Sequence, residues 1–191
     1  MITPGTCPVW KSGQRRGKRG YLERLPCYEN CFFCGPHSKG LRLRIEYGDH
    51  VCSTNFLIDD SFQGFRGVLH GGIVSGILDE IMWWAVFMET GVLSATWKLD
   101  VEFRRTVLCG KAYQAVGAYE RVKHGTYHVS ARIEDDSGEV CASALGMFRE
   151  LKDTDRDEFL RNLDFSESSQ PVESLLRSLL KNATPAHFRK E

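Results

Sequence analysis

The chain has 191 residues, 42% of them hydrophobic, and its 25 Lys plus Arg balance 25 Asp plus Glu. That length suits one domain with extensions, and the level charge excludes a general polyanion-binding surface, so neither nucleic acid nor an anionic membrane is expected as a partner. The longest uninterrupted apolar run, near Ile81 to Met88, falls well short of the roughly 20 residues that span a bilayer. With no apolar signal-peptide core at the N-terminus, a soluble, cytoplasmic protein is expected.

Residues 1–26 are rich in Gly, Lys and Arg, and Lys11 to Arg19 contains neither an acid nor an apolar residue. Such a segment buries too little surface to offset its ordering entropy and reads as a flexible basic arm. A phosphate grip is the alternative reading, and Gly5, Gly13, Gly17 and Gly20 argue against a transit-peptide helix.

Next comes Cys27-Tyr-Glu-Asn-Cys31-Phe-Phe-Cys34-Gly35-Pro-His37. A C-x2-C-G turn presents two thiolates to one zinc, and Cys27 and His37 would complete a tetrahedral set. The chain lacks a second C-x2-C or an H-x3-H, so the preferred reading is a tight turn with Phe32 and Phe33 packed on the domain and no metal. Seven cysteines are an odd number, and Cys52, Cys109 and Cys141 fall in segments that read as strands. Reduced core thiols in a reducing compartment are therefore expected over a disulfide framework.

Leu41 to Tyr47 alternates apolar and charged residues, the period of a half-buried strand, and a turn at Gly48-Asp49 leads to a second strand over 51–58. Residues 59–67 read as loop. From Ile73, apolar residues at 73, 74, 77, 78, 81, 82, 84, 85 and 88 fill more than one face of a helix, which must then be buried. Strands follow at about 94–105, 112–122, 126–134 and 140–150, the turns at Lys123-His124-Gly125 and 135–138 marking hairpins. One buried helix against about six antiparallel strands is an α+β arrangement covering 27–151. The polar remainder, 152–191, carries helical spacing at 155–163 and 172–180, with Pro171 suited to a helix start. Its leucine stripe, Leu175, Leu176, Leu179 and Leu180, is expected to pack on the domain or a neighbouring subunit.

Chemistry concentrates on the buried helix. Its N-terminus collects unpaired N–H groups and a positive dipole end, so Gly71 and Gly72 would let a polarised carbonyl oxygen approach. Asp79 lies two turns on, inside an apolar run, and must meet a polar cavity, pair, or take a raised pKa. The plain alternative is that Asp79 caps a loop or pairs with an Arg of the sheet, with His70 only fixing the turn.

The run HGGIVSGILDE, from His70 to Glu80, resembles the H-G-G-x6-D signature of hot-dog-fold acyl-CoA thioesterases, in particular the PaaI-like branch of phenylacetic acid degradation. Ser94 to Arg105 is similar to that family's strand after the helix, and Cys31 to Leu41 to its C-F-x-C-G lead-in. The resemblance covers about 31–151. It implies a hot-dog fold, homodimers or homotetramers with sites at the dimer interface, an acyl-CoA substrate and no cofactor beyond the coenzyme A that the substrate carries. By the same resemblance Asp79 is the catalytic carboxylate, as general base or nucleophile. The Gly71 amide, possibly with Gly72, polarises the thioester carbonyl, His70 holds the turn or contacts that carbonyl, and Thr96 helps position water from the partner subunit. Arg104, Arg105 and Lys123, with Arg121 and His124, are candidates for the coenzyme's phosphates. Glu80 could exchange roles with Asp79, since adjacent helix residues point about 100° apart and only one faces the cleft. Trp83 and Trp84 either shorten an acyl pocket or serve as core aromatics. A hot-dog hydratase acting on enoyl or hydroxyacyl thioesters and a non-catalytic acyl-CoA-binding domain are the alternative functions.

Overall fold

The computed structural model describes residues 22–36 and 39–183. Strands β1 (Glu23–Arg24), β2 (Cys27–Tyr28), β3 (Glu46–Gly48) and β4 (Val51–Leu57) precede the short β5 (Gln63–Phe65) and β6 (Val68–Leu69). Helix α1 (Gly71–Thr90) follows, then the long strands β7 (Ser94–Phe103), β8 (Ala112–Lys123), β9 (Thr126–Asp135) and β10 (Val140–Glu150). Helix α2 (Arg156–Arg161), β11 (Leu163–Asp164) and helix α3 (Val172–Asn182) complete the described chain.

One antiparallel sheet of seven strands, in the order β1-β3-β4-β8-β9-β10-β7, wraps α1. Ile77, Leu78, Ile81, Met82, Val86 and Phe87 are fully enclosed against it, which is why the helix is apolar on more than one face. By length and hydropathy alone α1 would pass as a membrane span, with a mean hydropathy of 1.3 over its most apolar stretch. Here its apolar surface is satisfied by the sheet. The helix ends at Gly91, whose φ of 68° lies in the left-handed region that favours glycine and whose N–H reaches the Phe87 carbonyl at 2.8 Å. This is the α+β hot-dog arrangement expected from the sequence, with one strand more.

Two expectations are corrected. The expected basic arm extends to residue 26, but Glu23 and Arg24 pair with β3, and Leu25 is buried with its N–H on the Ile45 carbonyl. The apolar Leu25 has a core site to fill, so residues 23–25 belong to the packed domain; residues 1–21 lie outside the described chain. The strand expected over 41–47 is regular only from Glu46. Leu43 and Ile45 do face the core. Arg42, however, takes φ 53°, and the Leu41 and Leu43 amides bond to the Phe32 and Phe33 carbonyls of the lead-in instead of to a ladder.

The C-terminal extension packs on the domain through only part of the expected leucine stripe, Leu175 being exposed. Val172, Leu176 and Leu180 are buried, each worth about 1.5–3 kcal/mol of apolar burial, and the backbone at Leu179 passes so close to Gly91 that a side chain there would strike it.

At the opposite margin β7 is an edge strand of ten residues that is exposed along most of its length. Trp97 and Phe103 are each 55% exposed on it. Long unprotected edges invite pairing with another strand.

Candidate active site

Helix α1 organises two sets of polar groups. At its start His70 is the N-cap, and its Nδ1 accepts the Gly72 N–H at 2.9 Å. The imidazole proton therefore sits on Nε2 in the neutral ring. This bond occupies the Gly72 amide, so the expected part for Gly72 in holding a carbonyl is corrected: its donor is already spent on the cap. The exposed Gly71 amide meets no acceptor among the described residues and points outward with the helix dipole. A cavity of about 550 Å³ opens here, lined by His70, Gly71, Val74, Phe103, Arg104 and Arg105. The two arginines line this cavity, Arg104 carrying an ion pair to Glu102 at 2.8 Å and Arg105 one to Glu139 at 2.6 Å.

The second set lies two turns along. Thr96 Oγ1 donates to Asp79 Oδ1 at 2.8 Å. Burial pushes the Asp79 carboxyl above the ordinary carboxylate range, and the Thr96 bond partly offsets this. Thr96 was expected to come from a partner subunit; it reaches Asp79 from its own chain, because β7 runs antiparallel past the middle of α1 just after the connecting turn. A cavity of about 490 Å³ adjoins the carboxylate, walled by Trp83, Trp84, Leu93, Ser94 and Phe159. Trp83 stacks on Phe87 at 5.5 Å, contacts Phe159 at 5.8 Å and donates from Nε1 to the Ser94 carbonyl at 2.7 Å. The tryptophans are at once core aromatics and pocket wall.

Glu80 lines the same cavity, with Cys31 and Cys34, but its polar partners differ from those of Asp79. Its Oε1 accepts from Trp84 Nε1 at 3.3 Å and its Oε2 lies 3.6 Å from Cys31 Sγ. Enclosure raises its carboxyl to about 8. Cys31 and Cys34 are hydrogen-bonded to one another, which lowers the first thiol and, together with burial, raises the second. Cys27 is not gathered with them: Arg44 Nη1 lies 3.4 Å from its sulfur, and the same guanidinium is held by Glu167 at 2.6 Å. The zinc set considered from sequence is thereby corrected, since among the described residues the grouped donors are Cys31, Cys34 and Glu80. His37 lies outside the described residues.

Lys123 is not brought to Arg104 and Arg105. It ends β8 opposite Thr126, and Thr126 pairs with Arg149 and so with the Ser94 end of β7. The arginines follow the other end of that ten-residue strand, roughly 30 Å away at about 3.4 Å per residue. Two contributors escaped the sequence reading. Ser94 Oγ is buried without a partner among the described residues and lines the Asp79 cavity. Phe159, with Thr154 and Glu158, brings the C-terminal extension into that wall. A serine at a strand start carries no signal in its spacing, and Phe159 belongs to a helix of six residues.

No protein-family model and no curated protein sequence matches this chain. Solved structures do. A thioesterase-superfamily protein superposes with a TM-score of 0.60 at 21% identity over 63% of each chain, less than two thirds of that protein's length. The Escherichia coli PaaI protein of the phenylacetic acid degradation operon gives 0.54 at 13% identity, over 58% of this chain and 80% of the other. An acyl-CoA hydrolase from Staphylococcus aureus, solved with butyryl coenzyme A, coenzyme A and coenzyme A disulfide, gives 0.51 at 20% identity, over 55% and 65%. The fold is that of the hot-dog thioesterases.

Proposed function

We propose that this protein hydrolyses acyl-CoA thioesters at a site completed by a second copy of the chain. The observation that carries the reading is the Asp79 carboxylate, half-buried, oriented by Thr96 and set against a cavity with an apolar wall. In the proposed reaction Asp79 takes a proton from water as the water oxygen attacks the thioester carbonyl. The tetrahedral oxyanion is held by a backbone N–H, and collapse expels the thiolate of coenzyme A, which recovers the proton. The acyl chain occupies the cavity of Trp83, Leu93 and Phe159, and Ser94 Oγ donates to the water or the acyl group.

The Gly71 amide supplies the oxyanion donor, but not to the Asp79 of its own chain. Eight residues separate them on one helix, about 12 Å at 1.5 Å per residue, and one carbonyl cannot touch both. Pairing of two copies, with β7 as the exposed edge, would set Gly71, Arg104 and Arg105 of one copy against Asp79 and Thr96 of the other. The arginines then meet the coenzyme's phosphates, and the oligomer is a dimer or a dimer of dimers.

The hydratase alternative needs an imidazole base, and His70 has its Nδ1 engaged by Gly72 and its proton on the other nitrogen. A thiol-release assay across acyl-CoAs of increasing length tests the proposal. Wild type should liberate free coenzyme A, and Asp79→Asn should lose at least about a hundredfold in turnover. Near-native turnover by that variant removes Asp79 from the mechanism; water addition to a crotonyl thioester without thiol release would establish the hydratase instead.

A further inference from the structure

The lead-in C-x2-C motif lines the same cavity as Asp79 but supplies no reacting group to the proposed hydrolysis. Phe33 seats its ring on α1 at Gly76, where any side chain would collide with it. Gly76 and Glu80 are four residues apart and so share a helix face, and docking of Phe33 therefore brings the flanking cysteines to Glu80. The turn itself is tight. A Cβ at Gly35 would stand 2.5 Å from the Glu29 carbonyl oxygen and 2.6 Å from that of Cys31, and the Gly35 N–H closes the turn on the Cys31 carbonyl at 2.9 Å.

The donor atoms of Cys31, Cys34 and Glu80 all lie within 4.8 Å of one another. Tetrahedral zinc, with bonds of about 2.3 Å to sulfur and about 2.0 Å to oxygen, holds a sulfur and an oxygen about 3.5 Å apart and two sulfurs about 3.8 Å apart. The Cys31 Sγ to Glu80 Oε2 separation, 3.6 Å, is already that edge. Two of the three donors are also oriented from behind: the Phe33 N–H points to Cys31 Sγ at 3.3 Å, and Trp84 Nε1 holds the other oxygen of Glu80. Such outer partners are what fixes ligands in metal sites.

We infer that Cys31, Cys34 and Glu80 form a zinc site that fastens the lead-in turn to α1, with a water from the adjoining cavity in the fourth position. Two thiolates and a carboxylate suit zinc over the hard cations, and binding releases the thiol protons to solvent. The inference does not depend on thioester hydrolysis, because its readout is metal content.

The test equilibrates the reduced, full-length protein with zinc sulfate alone, desalts it and measures bound metal by mass spectrometry. One zinc per chain is expected. Glu80→Gln should weaken retention against a chromogenic chelator at least about tenfold, and Cys31→Ser and Cys34→Ser should abolish it. Because a cysteine variant could fail to fold, circular dichroism accompanies each, and cobalt(II) loading of the unaltered protein provides a readout free of mutation. Tetrahedral visible bands with a thiolate charge-transfer band are expected. The inference is overturned by substoichiometric uptake in reduced, folded protein, by an octahedral cobalt spectrum without the thiolate band, or by equal zinc retention in folded variants lacking any of the three donors.

Discussion

Asp79 and Glu80 are consecutive on one helix, both acids, both in apolar company, and they live in different chemistry. Both line one cavity, but the first meets a hydroxyl and the second two thiols and an indole N–H. A rotation of about 100° separates them, enough to turn one carboxylate toward strand β7 and the other toward the lead-in turn. The lesson is that the neighbouring segments, more than the residue type, assign each acid its part.

Several substitutions break or sharpen that contrast. The largest effect is expected from Gly71→Pro. Proline is tolerated at the first helical position, and His70, at φ −59° and ψ 133°, already has the extended backbone that precedes proline. The change removes one N–H and little else, so turnover should fall about 100- to 1,000-fold; steady-state thiol release by a folded variant would show it. Asp79→Asn should lose about a hundredfold while keeping its zinc, which would separate the two acids directly. Mixing these two inactive variants then tests the composite site. Random pairing makes half the dimers mixed, each with one intact site, so about a quarter of wild-type activity should return. No recovery under subunit exchange would place both groups in one chain.

Gly76→Ala addresses the Glu80 face. It pushes Phe33 off the helix and should cost about 1–3 kcal/mol in stability, as overpacking does, together with much of the zinc retention; denaturant unfolding and metal analysis read the two losses. The smallest expected effect is on pH dependence. Burial disfavours the Asp79 carboxylate, so the acid limb of kcat/KM should lie above the ordinary carboxylate range of about 4. Thr96→Val deletes the bond that favours the charged form and should move that limb further upward. A limb that stays in place would mean that Thr96 does not act on Asp79.

Much of this was legible in the residue pattern. The all-round apolar run after Gly72 could only be a buried helix, and the alternating segments around the turns at 123–125 and 135–138 emerged as β8, β9 and β10 within a residue or so of expectation. Period and turn chemistry are local, and local sequence carries them. Legibility failed where a partner lay far along the chain. Arg42 broke the expected strand because the lead-in carbonyls captured its neighbours' amides, and Lys123 proved remote from Arg104 because strand register sets that distance.

The sequence by itself thus determined that an acid stood within a buried helix, that glycines opened the helix start and that a tight thiol turn preceded the domain. Only the tertiary structure decided which acid faced which neighbour. It closed the Gly72 amide with His70, set Thr96 beside Asp79 within one chain, drew Cys31 and Cys34 to Glu80 and left Cys27 to Arg44. The physical reason is that side-chain direction on a helix is fixed by 3.6-residue geometry. What waits in that direction is fixed by packing between segments tens of residues apart.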